Sequence, residues 1–181
     1  HGVHLAARLV DEAGVPRESI RIVDEHRRLL DRWKECTSTT GMTHLRSPAV
    51  HHLELNPWSL LEFAGKKKSR KKGLFAPPYN RPSLQLFNSH CDQLIQRLGL
   101  DELHIQARAI RCEVGCETVG VELSNGNSLQ AQQVVLAMGN SEQTDLPEWV
   151  PENDSRVGHI FEEGQDLGMQ DGETCAVVGG G

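Results

Sequence analysis

Apolar residues recur at helical spacing from the start of the chain. Val3, Ala6, Ala7, Val10 and Ala13 fall on one face, and Gly14 and Pro16 end the run. The short β-branched run Ile20 to Val23 follows, closed by Asp24, as expected of a buried parallel strand with an acid at its carboxyl end. Periodicity is then lost from Cys36 to Pro57, where Ser, Thr, Gly and Pro are frequent, which predicts a long ordered loop. Ser59 and Glu62 have capping-box spacing and predict a short helix through Ala64. Leu84, Phe87, Cys91, Leu94, Ile95 and Leu98 mark one face of a second amphipathic helix, entered through Pro82 and Ser83 and closed by Gly99. Three strands are expected next, over Ile105–Val114, Val119–Leu123 and Leu129–Leu136, with the turn signal Asn125-Gly126 between the last two. They predict an antiparallel meander. Ser141–Asp154 is polar and contains proline, and a last strand, Thr174–Val178, runs into Gly179-Gly180-Gly181.

Two segments have the outline of a dinucleotide site. Such a site needs a strand, a tight glycine turn and a helix, so that backbone amides at the helix start hold a pyrophosphate while an acid ending the next strand holds a ribose. Ala176-Val177-Val178 followed by glycines supplies the strand and the first two motif glycines, Gly179 and Gly181. At the other end Gly2 precedes the Ala-rich helix, and Asp24 ends the next strand 22 residues later, close to the roughly 20 expected between a last motif glycine and its ribose acid. Gly2 therefore reads as the final glycine of a first motif. The bland alternatives are a frayed terminus at Gly2, a strand-end carboxylate at Asp24 and a flexible glycine tail. On the first reading the chain is cut off inside one motif at its start and inside another at its end.

The 181 residues allow one ordinary domain, and a 38% hydrophobic content is normal for a globular chain. A formal net charge of −6 argues against general nucleic-acid binding, which favours excess Lys and Arg toward phosphates. Apolar runs such as Val134–Met138 are far shorter than the roughly 20 residues that span a bilayer, so no membrane role is expected. The chain opens on His1 with no signal-peptide pattern. Five scattered cysteines, Cys36, Cys91, Cys112, Cys116 and Cys175, suit reduced thiols in the cytoplasm better than a disulfide framework.

Other reactive residues carry weaker signals. His44, His51 and His52 lie close in sequence but match no zinc spacing, so they read as loop histidines bordering a pocket, with no metal expected. Cys112 and Cys116 lack a second pair and read as core or surface thiols. The basic run Lys66–Lys72, broken only by Ser69, reads as a solvated loop, with a nuclear-localisation signal or an anion site as the lesser alternatives. Trp33 and Trp58 flank the long loop, as core anchors or as packing for a bound ring.

Taken together, the first helix, Ile22-Val23-Asp24, the stretch Thr40-Gly41-Met42-Thr43-His44-Leu45-Arg46-Ser47-Pro48, the meander leading to Val134-Val135-Leu136-Ala137-Met138-Gly139, and Val177-Val178-Gly179-Gly180-Gly181 resemble the two-dinucleotide-binding flavoproteins. Among these, the sequence is most similar to flavin monooxygenases of the lysine and ornithine N-hydroxylase type. The resemblance implies an α/β, Rossmann-like FAD-binding domain with a parallel sheet and an antiparallel β-meander. It would occupy residues 1–173 without its first strand and most of its first glycine turn, and 174–181 would begin an NAD(P)-binding motif or return to the FAD domain. It places Gly2 beside the FAD pyrophosphate, Asp24 on the adenosine ribose, Met42 to Arg46 near the flavin ring, and Ala109 and Ile110 near the adenine. Gly139 falls in a turn returning to FAD, where Met138 departs from the Thr such proteins often carry. Gly179 and Gly181 fall at the NAD(P)H site.

The activity implied is that of an FAD- and NAD(P)H-dependent monooxygenase acting on a small molecule through a flavin hydroperoxide. The cofactor does the hard chemistry, while the protein orients it and excludes water. A flavin reductase using a redox disulfide is a second reading, although Cys36 has no companion nearby in sequence. A non-catalytic FAD-binding protein is a third. No catalytic side chain can be assigned from the sequence.

Overall fold

The computed structural model describes residues 1–50, 53–67, 73–139, 146, 148–150, 157–162, 172 and 174–178. They fall into two units, His1–Gly139 and Asn140–Gly181.

The apolar stripe of the first segment forms α1 (Gly2–Asp11), which buries Val3, Ala6 and Ala7. Gly14 ends it in the left-handed conformation at φ 64°, and the amides of Ala13 and Val15 turn back onto the carbonyls of Arg8 and Leu9. A single 3-10 turn, Arg17–Ser19, shortens the strand expected from Ile20, so that β1 covers Ile22–Asp24. β1 pairs in parallel with β4 (His104–Gln106), in the register Ile22↔His104, Val23↔Ile105 and Asp24↔Gln106. A parallel pair requires a crossover. Here it runs through three further helices and a small hairpin.

The crossover departs from expectation at its start. α2 (Asp31–Thr39) occupies the first residues of the predicted Cys36–Pro57 loop. Its inward positions are Trp33 and Thr37. Trp33 meets Phe87 edge-on with ring centroids 5.6 Å apart, and its indole N–H donates to Asn88 Oδ1 at 3.1 Å. Thr37 is buried because its hydroxyl donates to the Trp33 carbonyl one turn back, at 2.8 Å. α3 (Ser59–Lys67) runs past Ala64, and its backbone includes Lys66 and Lys67, which were expected in a loop. Its entry is organised by Asn56 rather than Ser59. Asn56 Oδ1 accepts from the Trp58 amide at 3.0 Å, while its Nδ2 donates to Glu62 at 3.0 Å. β2 (Phe75–Ala76) and β3 (Arg81–Pro82) form a short antiparallel hairpin that the apolar pattern does not predict.

α4 (Leu84–Leu98) has the predicted limits. Ser83 Oγ accepts from the Leu86 amide, Gly99 closes the helix at φ 60°, and Leu86, Phe87, His90, Cys91, Leu94, Ile95 and Leu98 are buried. The helix joins two cores. Its last turns, with Leu100 and Leu103, pack beneath α1 and Ile20, and its first turns pack with Leu45, Leu60, Phe63 and Ala64.

The single strand expected over Ile105–Val114 is two. β4 belongs to the parallel pair, and β5 (Ala109–Val114) belongs to an antiparallel sheet with β6 (Val119–Leu123) and β7 (Ser128–Ala131). The chain changes sheets at Ala107 and Arg108. The Ala107 amide still donates to the Asp24 carbonyl at 3.0 Å, whereas Arg108 already exchanges hydrogen bonds with Ser124. Ala107, Val121 and Leu123 form a third core shared with Val23, Ile105 and Leu129. In the turn between β6 and β7 Gly126 alone takes positive φ, at 83°, with Asn125 Oδ1 accepting from the Asn127 amide.

β7 ends at Ala131, short of the predicted Leu136. Val135, Leu136 and Met138 are exposed, because no strand among the described residues pairs with this segment. In the second unit the strand expected over Thr174–Val178 is absent for the same reason, and Val177 and Val178 are exposed. The rings of His159 and Phe161 meet at a tilt of 54°, centroids 5.7 Å apart, beside a turn in which the Glu162 amide donates to the His159 carbonyl.

Candidate functional site at the carboxyl end of the parallel strands

Backbone groups at the end of a parallel strand must turn out of the sheet, and side chains placed there meet whatever the crevice holds. At the end of β1 that side chain is Asp24, with 38% of its side chain exposed. Its Oδ1 accepts two hydrogen bonds from His26, one from the backbone N–H at 2.8 Å and one from ring Nδ1 at 2.9 Å. Oδ2 accepts none among the described residues. The Asp24 carbonyl takes the Ala107 amide at 3.0 Å and the ring Nε2 of His104 at 3.3 Å. Glu25, the next residue, is clamped by both arms of Arg108, with Nε to Oε2 at 2.8 Å and the terminal NH2 to Oε1 at 2.9 Å, and its carbonyl accepts from Gln106 at 3.3 Å. Both partners of this pair are partly exposed, so its stabilisation is at most about 1 kcal/mol. Its contribution is geometric: it fixes the first residue beyond the strand.

Of the other predicted residues, Gly2 opens α1, and a Cβ built there would lie 3.6 Å from the Ala137 Cβ, an ordinary contact distance. The start of α1 and the Leu136-Ala137-Met138-Gly139 segment are thus brought together across more than 130 residues of chain. Gly139 itself has φ 68°, a conformation that favours glycine. Ile110 is exposed and sits at a register shift between Ala109 and Arg111, where β5 carries one residue more than β6. Met42 packs on the second core, the one around Leu60 and Phe63, rather than on the core beneath α1, and Arg46 is exposed in the turn that follows Leu45. The segment around them is tied to the start of α4 by Leu45 N–H to the Pro82 carbonyl and Leu84 N–H to the Thr43 carbonyl, both at 2.9 Å. Gly179 and Gly181 lie outside the described residues, as do His51 and His52.

His26 and the Arg108 clamp escape the sequence reading. An Asp side chain accepting from the backbone N–H two residues on is a local turn that the sequence can suggest. The sequence does not suggest which ring would join it. Trp58 is 57% exposed, so of the two tryptophans only Trp33 is a core anchor. All five cysteines are free, with Cys91 buried and Cys112, Cys116 and Cys175 exposed. Burial pushes the Cys91 thiol up to about 12. Among the described residues no group of His, Cys, Asp and Glu is arranged to hold a metal, and no helix is long and apolar enough to cross a membrane.

A helix leading into a parallel strand, an acid at that strand's carboxyl end and an antiparallel meander beside it define an α/β, Rossmann-like domain for binding a dinucleotide. The chain belongs to the FAD-NAD(P)-binding family, whose profile matches residues 1–141. No curated protein and no solved structure matches it.

Proposed function

We propose that the chain forms the FAD-binding part of an NAD(P)H-dependent oxidoreductase, a monooxygenase acting on a small molecule. The observation that carries this reading is the Asp24 carboxylate, which stands at the end of a parallel strand with one oxygen held by His26 and the other without a hydrogen bond among the described residues. A ribose hydroxyl donates to such an oxygen, whereas a phosphate on the same ribose would be repelled by it, which favours FAD over a 2′-phosphorylated nucleotide at this site. The other residues fit the same ligand. Gly2 leaves the amide end of α1 bare for a pyrophosphate. The bulge at Ile110 frees backbone groups to meet an adenine edge. Ala137, two residues before Gly139, lies beside the start of α1. The Met42 to Arg46 segment, anchored to α4, borders the flavin ring on this reading.

When bound, FAD supplies the hydride-accepting and oxygen-activating chemistry. This chain's residues bind and orient it. Gly179 and Gly181 would begin the NAD(P)H motif, so that residues 1–173 serve FAD and 174–181 open the nicotinamide site. Five free thiols favour a reducing, cytoplasmic setting.

The test is to purify the protein in the presence of FAD, record its visible spectrum after gel filtration, and follow NADPH oxidation together with oxygen uptake. A yellow protein that consumes both is expected. A colourless protein without flavin absorbance would sink the flavoprotein reading. A yellow one that oxidises NADPH without oxygen uptake would remove the monooxygenase part alone.

A further inference from the structure

We propose that His26 is a positioning residue for the cofactor's ribose, acting through Asp24; the inference rests on the reading that Asp24 meets that ribose. A strand-end aspartate that is 38% exposed turns freely about two side-chain bonds unless something holds it. Two donors of His26 converge on the same oxygen, the backbone N–H at 2.8 Å and ring Nδ1 at 2.9 Å. Two converging bonds fix both torsions and occupy Oδ1. The ribose hydroxyl is therefore received at Oδ2, on a carboxylate already oriented before the ligand arrives, and preorganisation of this kind raises affinity by removing an ordering cost.

The two bonds differ in what they require. The backbone N–H bond is open to any residue at 26 except proline, since it is a local turn of the chain. The ring bond needs a side chain with an N–H at the δ position, and the His26 ring, 19% exposed, is more enclosed than the carboxylate it holds. It donates from Nδ1 whether the ring is neutral with its proton there or charged. The backbone at this corner is anchored independently of the ring, by Ala107 and His104 on the Asp24 carbonyl and by Gln106 on the Glu25 carbonyl. Removing the ring therefore leaves the carboxylate held by the backbone N–H alone, free to turn about that single bond, while the strand end stays in place.

The experiment titrates FAD into the protein and four variants, His26→Ala, His26→Asn, Asp24→Ala and the double variant, with circular dichroism confirming that each is folded. His26→Ala is expected to weaken FAD binding by about 3- to 10-fold, the size of one hydrogen bond. His26→Asn, whose Nδ2–H reaches the same oxygen, restores most of the affinity. Adding His26→Ala to Asp24→Ala has no further effect, because the carboxylate it orients is gone. If Asp24→Ala weakens binding while His26→Ala does not, the positioning role is refuted and the ribose reading stands. If His26→Ala weakens binding equally in the presence and absence of Asp24, His26 acts through the surrounding structure and the proposal fails. If Asp24→Ala leaves FAD affinity unchanged, the ribose reading itself falls and takes this inference with it.

Discussion

Replacing Asp24 by alanine tests the proposed assignment of the two cofactor sites. In the structure Oδ1 already carries both donors of His26, so a ribose can add its hydroxyl only at Oδ2. The substitution therefore removes one charge-assisted hydrogen bond to the ligand, not two. Such a bond contributes about 1.5–3 kcal/mol, which corresponds to roughly a 10- to 150-fold loss of FAD affinity. The two His26 donors left behind lie at a partly exposed corner where water replaces the carboxylate, so the fold should lose little. Asp24→Asn keeps Oδ1 for His26 and turns an amide N–H toward the ribose, where it can donate to the hydroxyl oxygen. A neutral bond of that kind leaves a smaller deficit, about 1 kcal/mol or 5-fold. Titration of flavin-free protein with FAD, followed by NADPH titration of the flavin-loaded form, reads both sites. NADPH affinity should not move, because its proposed glycines, Gly179 and Gly181, are remote in sequence. Unchanged FAD affinity with weakened NADPH binding would show that the two sites are assigned the wrong way round.

Leu100 is fully buried in the core that carries α1, so Leu100→Ala should cost about 2–5 kcal/mol, measured as a fall in the urea midpoint; a change under about 0.5 kcal/mol would mean that this core does not hold the domain together. His90 is buried on α4 against Phe63 and Glu54, with Arg97 on the same carboxylate and Asp11 facing Arg97. Desolvation lowers its pKa below the ordinary 6.5 despite the opposing pull of Glu54, so the unfolded chain takes up the proton first. Stability from this residue is complete above about pH 6.5 and is lost as the pH falls through the lower folded value, so the urea midpoint should drop between pH 7.5 and 5.5 by more in the wild type than in His90→Gln; equal drops would rule His90 out as the cause. The raised Cys91 thiol should resist alkylation at mildly alkaline pH while Cys112, Cys116 and Cys175 react, and mass mapping that finds Cys91 labelled as fast as Cys112 would contradict its placement.

How much of this was legible in the sequence depended on whether the deciding interaction was local. α4 was readable end to end because its cap, its apolar face and its closing glycine lie within seventeen residues, Ser83 to Gly99, and each acts on its near neighbours. α2 was hidden because its buried Thr37 is made acceptable by a hydrogen bond to its own helix, which a polar letter in the sequence does not announce. The division of Ile105–Val114 into β4 and β5 was also hidden. Its alternation runs on through Ala107 and Arg108 and breaks only at Ala109-Ile110, inside β5, while the change of sheet at Ala107 and Arg108 is decided by β1 on one side and by Ser124 on the other, partners some 80 and 16 residues away. The candidate site divides in the same way. Asp24 could be singled out because an acid at the end of an apolar β-branched run is a local pattern, whereas Gly139 was reached only through the resemblance to flavoproteins, its positive φ being visible only in the fold. His26 could not, because its meaning arises only when the chain bends so that both its donors face back to Asp24. The consequence is chemical as well as structural: the sequence singles out the carboxylate proposed to receive a ribose, while the fold shows which of its two oxygens His26 already holds.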